Sequence, residues 1–130
     1  MSIPEIEAML AGIVEAFHAQ DVERLARDWT DDIVIRFAGL PEIKGKEAAK
    51  KWLAARFERQ KGYRLDKRFQ AVTGDIIGDS WTGEWTDSQT GRQMQGKGME
   101  FLTMAGHKIA RWEAVFNVWE KDRASIVPIT

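Results

Sequence analysis

The sequence predicts an α+β domain in which a cone-shaped, curved sheet of mixed or antiparallel strands wraps around about three helices. Three observations predict it. Up to about residue 60 the apolar residues keep helical spacing, broken by one alternating run, and after Gly62 their period changes to two. Four alternating runs then follow one another with only turn signals between them, the pattern of a meander packed on helices. Six tryptophans, Trp29, Trp52, Trp81, Trp85, Trp112 and Trp119, fall in both halves and call for a wide apolar interior with polar edges for their indole N–H groups. A sheet that must bury one face around few helices curls, and the curl leaves a conical cavity suited to a small ligand.

Each element has its own justification. Ser2-Ile3-Pro4-Glu5 is a capping box with an early proline, and Ile6, Met9, Leu10, Ile13, Val14 and Phe17 continue it as one apolar stripe. Asp21 caps a shorter helix through Val22, Leu25, Ala26 and Trp29. The stretch WTDDIVIRF closes that helix, turns on Asp31 and Asp32, and becomes a strand in which Ile33, Ile35 and Phe37 alternate with Val34 and Arg36. Gly39, Pro41 and Gly45 punctuate a loop with a short extended piece at Glu42 to Lys44. A third helix is expected from Lys46 to about Gln60, burying Ala49, Trp52, Leu53 and Phe57. Strands are expected at about 63–73, 76–87, 92–104 and 107–120, with turns at Thr73-Gly74-Asp75, Asp87 to Gly91 and Ala105-Gly106. The first turn could instead sit at Gly78-Asp79, which leaves the register from Gly74 to Asp79 open. Gly96 and Gly98 are expected to permit a bend or bulge and leave a second register open.

Composition narrows the function. At 130 residues the chain reads as one domain, 1–130, able to bury about two-thirds of its unfolded surface. A net charge of -1 gives no general pull toward nucleic acid or anionic membrane, and no apolar run approaches the roughly 18 residues that a membrane span needs. With no cysteine, thiolate catalysis and cysteine-held metals are excluded, and the acidic N-terminus is unlike a signal peptide, so a cytoplasmic protein without metal or cofactor is expected. Ten basic residues between Lys44 and Arg68 face three acids, while the first 32 residues hold eight acids against Arg24 and Arg27. Complementary halves meeting within a domain or dimer explain this without a nucleic acid.

Particular stretches carry a resemblance: AFHAQDVERLARDWTDDIVI (16–35), KGKEAAKKWLAARF (44–57), GYRL (62–65), GEWTDSQTGR (83–92) and HKIARWEAVFN (107–117). Together they resemble the nuclear transport factor 2-like superfamily, on its SnoaL-like and ketosteroid-isomerase-like branch, and the stretches KWLAARFERQKGYRL (51–65) and GEWTDSQTG (83–91) also resemble a SnoaL-like bacterial subgroup of no settled activity. The resemblance implies a cystatin-like α+β barrel with a pocket. It implies no single reaction, because this fold hosts isomerases, cyclases, dehydratases, epoxide hydrolases and non-catalytic modules. In ketosteroid isomerases a strand carboxylate is the base, with a tyrosine and a protonated acid holding the oxyanion. Aligned on this chain, the base falls on Phe37, the tyrosine on Ile13 and the acid near Met99, or on Glu100 if a bulge shifts the strand. The final-strand carboxylate of the epoxide hydrolases falls on Ala114. The histidine pair of dehydratase-like members has only His18 and His107 to match, read as a helix-end and a turn residue.

The remaining acid/base candidates are Asp79, Glu84 and Glu100. Asp79 shares strand parity with Ile77, Trp81 and Trp85 and could point inward, although a turn at Gly78-Asp79-Ser80 is the simpler reading. Glu84 and Glu100 have the parity opposite to Trp85 and Phe101 and are expected to face outward. Two function classes follow. The first is a pocket protein for a small apolar molecule, with an isomerase, cyclase or lyase type of activity open to it, lined by Ile13, Phe17, Ile35, Phe37, Trp81, Met99, Phe101, Trp112, Ala114 and Phe116. The second is a non-catalytic ligand-binding or dimerisation module whose pocket is filled by its own side chains. Under either, a homodimer is expected through the outer sheet face at Val115, Asn117 and Trp119.

Overall fold

The structure is a computed structural model that describes residues 1–123. Its helices are α1 (Ile3–His18), α2 (Val22–Ala26) and α3 (Lys46–Arg59), and its strands are β1 (Trp29–Phe37), β2 (Ile43–Lys44), β3 (Gln60–Thr73), β4 (Ile76–Asp87), β5 (Gln93–Ala105) and β6 (Lys108–Glu120). The strands form one sheet in the order β2-β1-β6-β5-β4-β3. Only β1 and β6 run parallel, so the sheet is mixed. It stays unclosed and curves around the helices, with β3 packed on α1 and β1 on α3.

Local chemistry sets the ends of these elements. Ser2 and Glu5 exchange backbone–side-chain hydrogen bonds at the start of α1, satisfying two amides that the first turn leaves without partners. Asp21 Oδ1 accepts from the Arg24 amide at the start of α2. That helix is shorter than expected: Trp29 is the first residue of β1. The two aspartates after it lie where the β1–β6 register shifts, between Trp29 and Val34. Gln20 closes the helical layer by donating from Nε2 to the Phe57 and Gln60 carbonyls at 3.2 and 2.7 Å. The two charged regions meet across α2 and α3, where Lys50 reaches Glu23 at 2.8 Å, and across α3 and β1, where Lys46 reaches Asp31 at 3.5 Å.

Both open registers are resolved. β3 turns at Gly74 and Asp75, so Asp79 lies four residues into β4 and not in a turn. Gly96 and Gly98 lie in uninterrupted pairing with Gly83 and Trp81, and the irregularity in β5 falls instead between Thr103 and Met104. The glycines serve close packing. A Cβ on Gly96 would meet the rings of Trp81 and Trp85 at 3.3 Å, and one on Gly98 would meet the Cβ of Phe116 at 2.7 Å. At these two positions the inner face of β5 is thus kept free of side chains so that neighbouring rings can lie across it. The core is continuous from Ile6 and Leu10 on α1, through Ile33, Ile35, Ala49, Leu53 and Phe57, to Ile77 and Leu102 on the sheet.

Candidate functional site

Between the sheet and α3 lies a cavity of about 560 Å³. Eight aromatic residues form much of its wall. Phe37 packs edge-on against Trp112, Trp52 and Phe116 at centroid distances of 4.9, 5.0 and 5.5 Å, and Tyr63 stacks on Trp85 at 5.5 Å and 7°. Such edge-to-face contacts hold aromatic side chains in fixed orientations. The half-exposed Leu40 and Val118 also line it and mark the side open to solvent.

Polar groups break this wall in two places. In the first, Lys67 on β3 and Glu100 on β5 both line the cavity and form an ion pair, each with only 3 % of its side chain exposed. Trp112 Nε1 donates to Glu100 Oε2 at 2.8 Å and fixes the second carboxylate oxygen. Asp79 on β4, the register partner of Glu100, completes the cluster with its Oδ1 3.9 Å from Lys67 Nζ and no exposed side-chain surface. Burial pushes the Asp79 carboxyl up to about 8, with Lys67 opposing the rise and the Glu100 carboxylate adding to it. For Glu100, burial works in the same direction, but it is outweighed by the charge of Lys67, by the neighbouring Asp79, and by the hydrogen bonds from Lys67 and Trp112. Its carboxyl is held below the ordinary range. The cluster therefore carries one negative and one neutral acid around one lysine at neutral pH.

The second polar group is Arg56 on α3. Its guanidinium lies over the rings of Phe17, Phe37, Trp52 and Tyr63, with its central carbon 5.5 to 5.7 Å from each centroid. Arg59, one turn along, also lines the cavity and binds Asp87 Oδ1 at 2.6 Å. The hydrogen bonds from Arg59 and Thr90 lower the Asp87 carboxyl to about 2.

These placements revise several expectations. Phe17, Phe37, Trp81, Trp112, Ala114 and Phe116 line the cavity. Met99 and Phe101 do not: their side chains stand on the outer face, with 64 % and 58 % of each residue exposed. Glu100, expected outside, points inward and is only 4 % exposed. All three corrections have one cause. From Gly96 to Leu102 the inner face of β5 is Gly96, Gly98, Glu100 and Leu102, so Met99 and Phe101, the bulkiest outward residues of that stretch, stand on the outer face, where Phe101 lies against Gly78. No bulge is needed to bring Glu100 in. Ile35 is buried in the core without lining the cavity, and Ile13 lies half-buried at a separate surface cleft with Leu25 and Ile109. Glu84 faces outward, accepting from Gln95 Nε2 at 2.8 Å, with Lys121 at 3.6 Å. His107 is exposed in the β5–β6 turn, and His18 Nε2 accepts the Leu65 amide at 2.9 Å, tying the end of α1 to β3. Lys67 and Arg56 were not singled out by the sequence. Lys67 shares strand parity with Tyr63 and Leu65, and Arg56 follows Trp52 by four residues on a helix, so both positions carried a signal.

Comparison with known proteins gives a consistent picture. No curated protein matches the chain in sequence. Among solved structures, TerC co-crystallised with polyporic acid is 27 % identical, covering 88 % of this chain and 92 % of that one at a TM-score of 0.72. SalBIII, an epoxide hydrolase/cyclase-like enzyme of pyran ring formation in the polyether salinomycin, shares the fold at 13 % identity, with 89 % and 97 % covered and a TM-score of 0.77. So does a proposed SnoaL-like polyketide cyclase from Jannaschia sp. CCS1, at 16 % identity, 86 % and 84 % covered, and a TM-score of 0.76. The SnoaL-like domain model matches residues 10–112, from the middle of α1 to Trp112 beside Glu100, and the chain belongs to that family within the nuclear transport factor 2-like superfamily.

Proposed function

We propose that this protein is a proton-transfer enzyme, of isomerase, cyclase or lyase type, acting on a largely apolar aromatic molecule held in the cone. One observation carries the reading: a buried Lys67–Glu100 pair forms part of the wall of an aromatic-rich cavity. Removing two charges from water is costly unless they are paired, and an apolar pair of equal volume would pack as well. At the cavity wall the same pair supplies a base and a hydrogen-bond donor in contact with each other. A carbonyl compound seated there receives a hydrogen bond from Lys67 on its oxygen, while Glu100 takes the proton from the adjacent carbon, leaving an enolate against the ammonium. As Lys67 turns to the substrate oxygen, the influence that holds the Glu100 carboxyl down weakens, and burial then makes the carboxylate a stronger base. Trp112 is a positioning residue for Glu100. The SalBIII and TerC structures, described with ring formation and with polyporic acid respectively, support a small organic ligand for this fold.

The test uses 2-tetralone, an aromatic ketone with acidic protons beside its carbonyl. The protein should accelerate exchange of those protons into deuterium oxide at neutral pH, followed by NMR. Glu100→Gln should lower the accelerated rate by about a hundredfold or more, in the range of a lost general base, whereas Glu84→Gln should leave it unchanged. No acceleration, or equal loss in the two variants, would refute the assignment.

Pairing of two copies through the outer sheet face belongs to the same proposal. Met99, Phe101 and Val115, each more than half exposed, lie on adjacent strands there, with Met99 directly opposite Val115. They extend the face on which Val115, Asn117 and Trp119 were expected to pair.

A further inference from the structure

Three cationic side chains line the cavity, and two of them have carboxylate partners: Lys67 has Glu100, and Arg59 has Asp87. Arg56 has none among the described residues. Its Nε donates to the Gln60 side-chain carbonyl at 2.7 Å and its Nη2 to the Tyr63 hydroxyl at 3.3 Å, both neutral acceptors. Its Nη1 is buried with no hydrogen-bond partner. A guanidinium presents five donors, and a buried one left unmet costs free energy comparable to a lost charge-assisted hydrogen bond. The four rings around it offset part of the desolvation but accept no in-plane hydrogen bond. The cavity is therefore built with one positive charge in excess, on α3, within an aromatic surround.

We infer that Arg56 is the specificity determinant of the cavity, selecting planar aromatic ligands that carry an anionic oxygen, such as a carboxylate or an acidic enol. The rings of Phe37, Trp52 and Tyr63 take the flat body of such a ligand, and the guanidinium, turning its buried and unmet Nη1 toward the cavity, takes its anion in plane, a geometry that an ammonium would not reproduce. This deepens the proposed proton-transfer reading by naming the ligand class. It places the charged end of the ligand at α3 and leaves its neutral part for the Lys67–Glu100 pair.

The binding test needs no turnover. Quenching of tryptophan fluorescence at pH 7 is titrated with 2-naphthoate and with its neutral counterpart 2-naphthalenemethanol. The wild-type protein should bind the naphthoate roughly tenfold more tightly, the scale of one charge-assisted contact. Arg56→Met and Arg56→Gln should both lose the preference, with Arg56→Lys keeping part of it. Glu100→Gln should keep the preference, because Arg56 is untouched and Asp79 remains beside Lys67. Equal affinities in the wild type, absence of naphthoate binding at millimolar concentration, or a preference that survives in both neutral Arg56 variants would overturn the inference. An unchanged exchange rate in Glu100→Gln would instead remove the acid/base assignment and leave the charge preference standing.

Discussion

Asp79 sits on β4 with its side chain shut off from solvent, in register with Glu100 and 3.9 Å from Lys67 Nζ. Its two oxygens have no hydrogen-bond partner, and burial raises its carboxyl from 3.8 to about 8. The folded chain thus holds a proton that the unfolded chain has already released over most of that interval. Stability from this group is present in full below about pH 4 and is lost as pH rises toward about 8, because over that interval unfolding releases the proton that the buried site holds. Asp79→Asn removes the titration while keeping the shape. We expect the melting temperature of the wild type to fall from pH 6 to pH 9 by several degrees more than that of Asp79→Asn. Parallel curves for the two proteins would show that Asp79 is not the titrating group. The position of Asp79 was legible from its parity with Trp81 and Trp85, and so was that of Lys67 from Tyr63 and Leu65. What hid the cluster was charge: an isolated acid or lysine in an alternating run reads as the solvated face unless its partners are known, and the partners lie on three different strands.

At the scale of elements, β5 shows why the site was harder to read than the fold. The capping box of α1, the stripe of α3 and the turns of the meander are local signals, and they placed those elements within a few residues. The facing of β5 is not local. Met99 and Phe101 outweigh their neighbours in apolar bulk, yet the inner side belongs to Gly96, Gly98 and Glu100, because rings from β4 and β6 occupy the space a side chain would need. Trp29 failed for a related reason: it continues the apolar spacing of α2 while opening β1. The glycine reading predicts a stability effect. In Gly98→Ala the new methyl group would press on the Val115 carbonyl and the Phe116 Cβ, both held by the sheet, so the strand must shift. We expect a loss of roughly 1–3 kcal/mol in urea unfolding, the cost of overpacking a tight interior. Gly96→Ala meets only ring edges at 3.3 Å and should lose less. Equal, negligible losses would mean that these glycines do not set the approach of the rings.

The whole molecule divides its labour between the two faces of one sheet. The inner face, closed over by α1 and α3, holds the cavity with its ion pair and its unneutralised arginine. The outer face carries Met99, Phe101 and Val115 in the open, while Arg36, Glu42 and Glu113 form an exposed ion-pair network beside them. Two copies meeting there would cover the apolar groups without blocking either cavity, so the proposed pairing and the proposed chemistry are separable. Phe101→Glu should shift the chain from dimer to monomer in light scattering and leave tetralone exchange within about twofold of the wild type. A wild type that remains monomeric at high concentration would contradict the pairing. The cavity is tested most directly by the exchange rate itself, compared across Lys67→Met, Glu100→Gln and the double variant. If the two side chains act as a unit, each single change should remove about a hundredfold of the acceleration, and the double variant should fall no further than either. Multiplying losses, or a Lys67→Met protein that exchanges at the wild-type rate, would contradict a joint role for the pair.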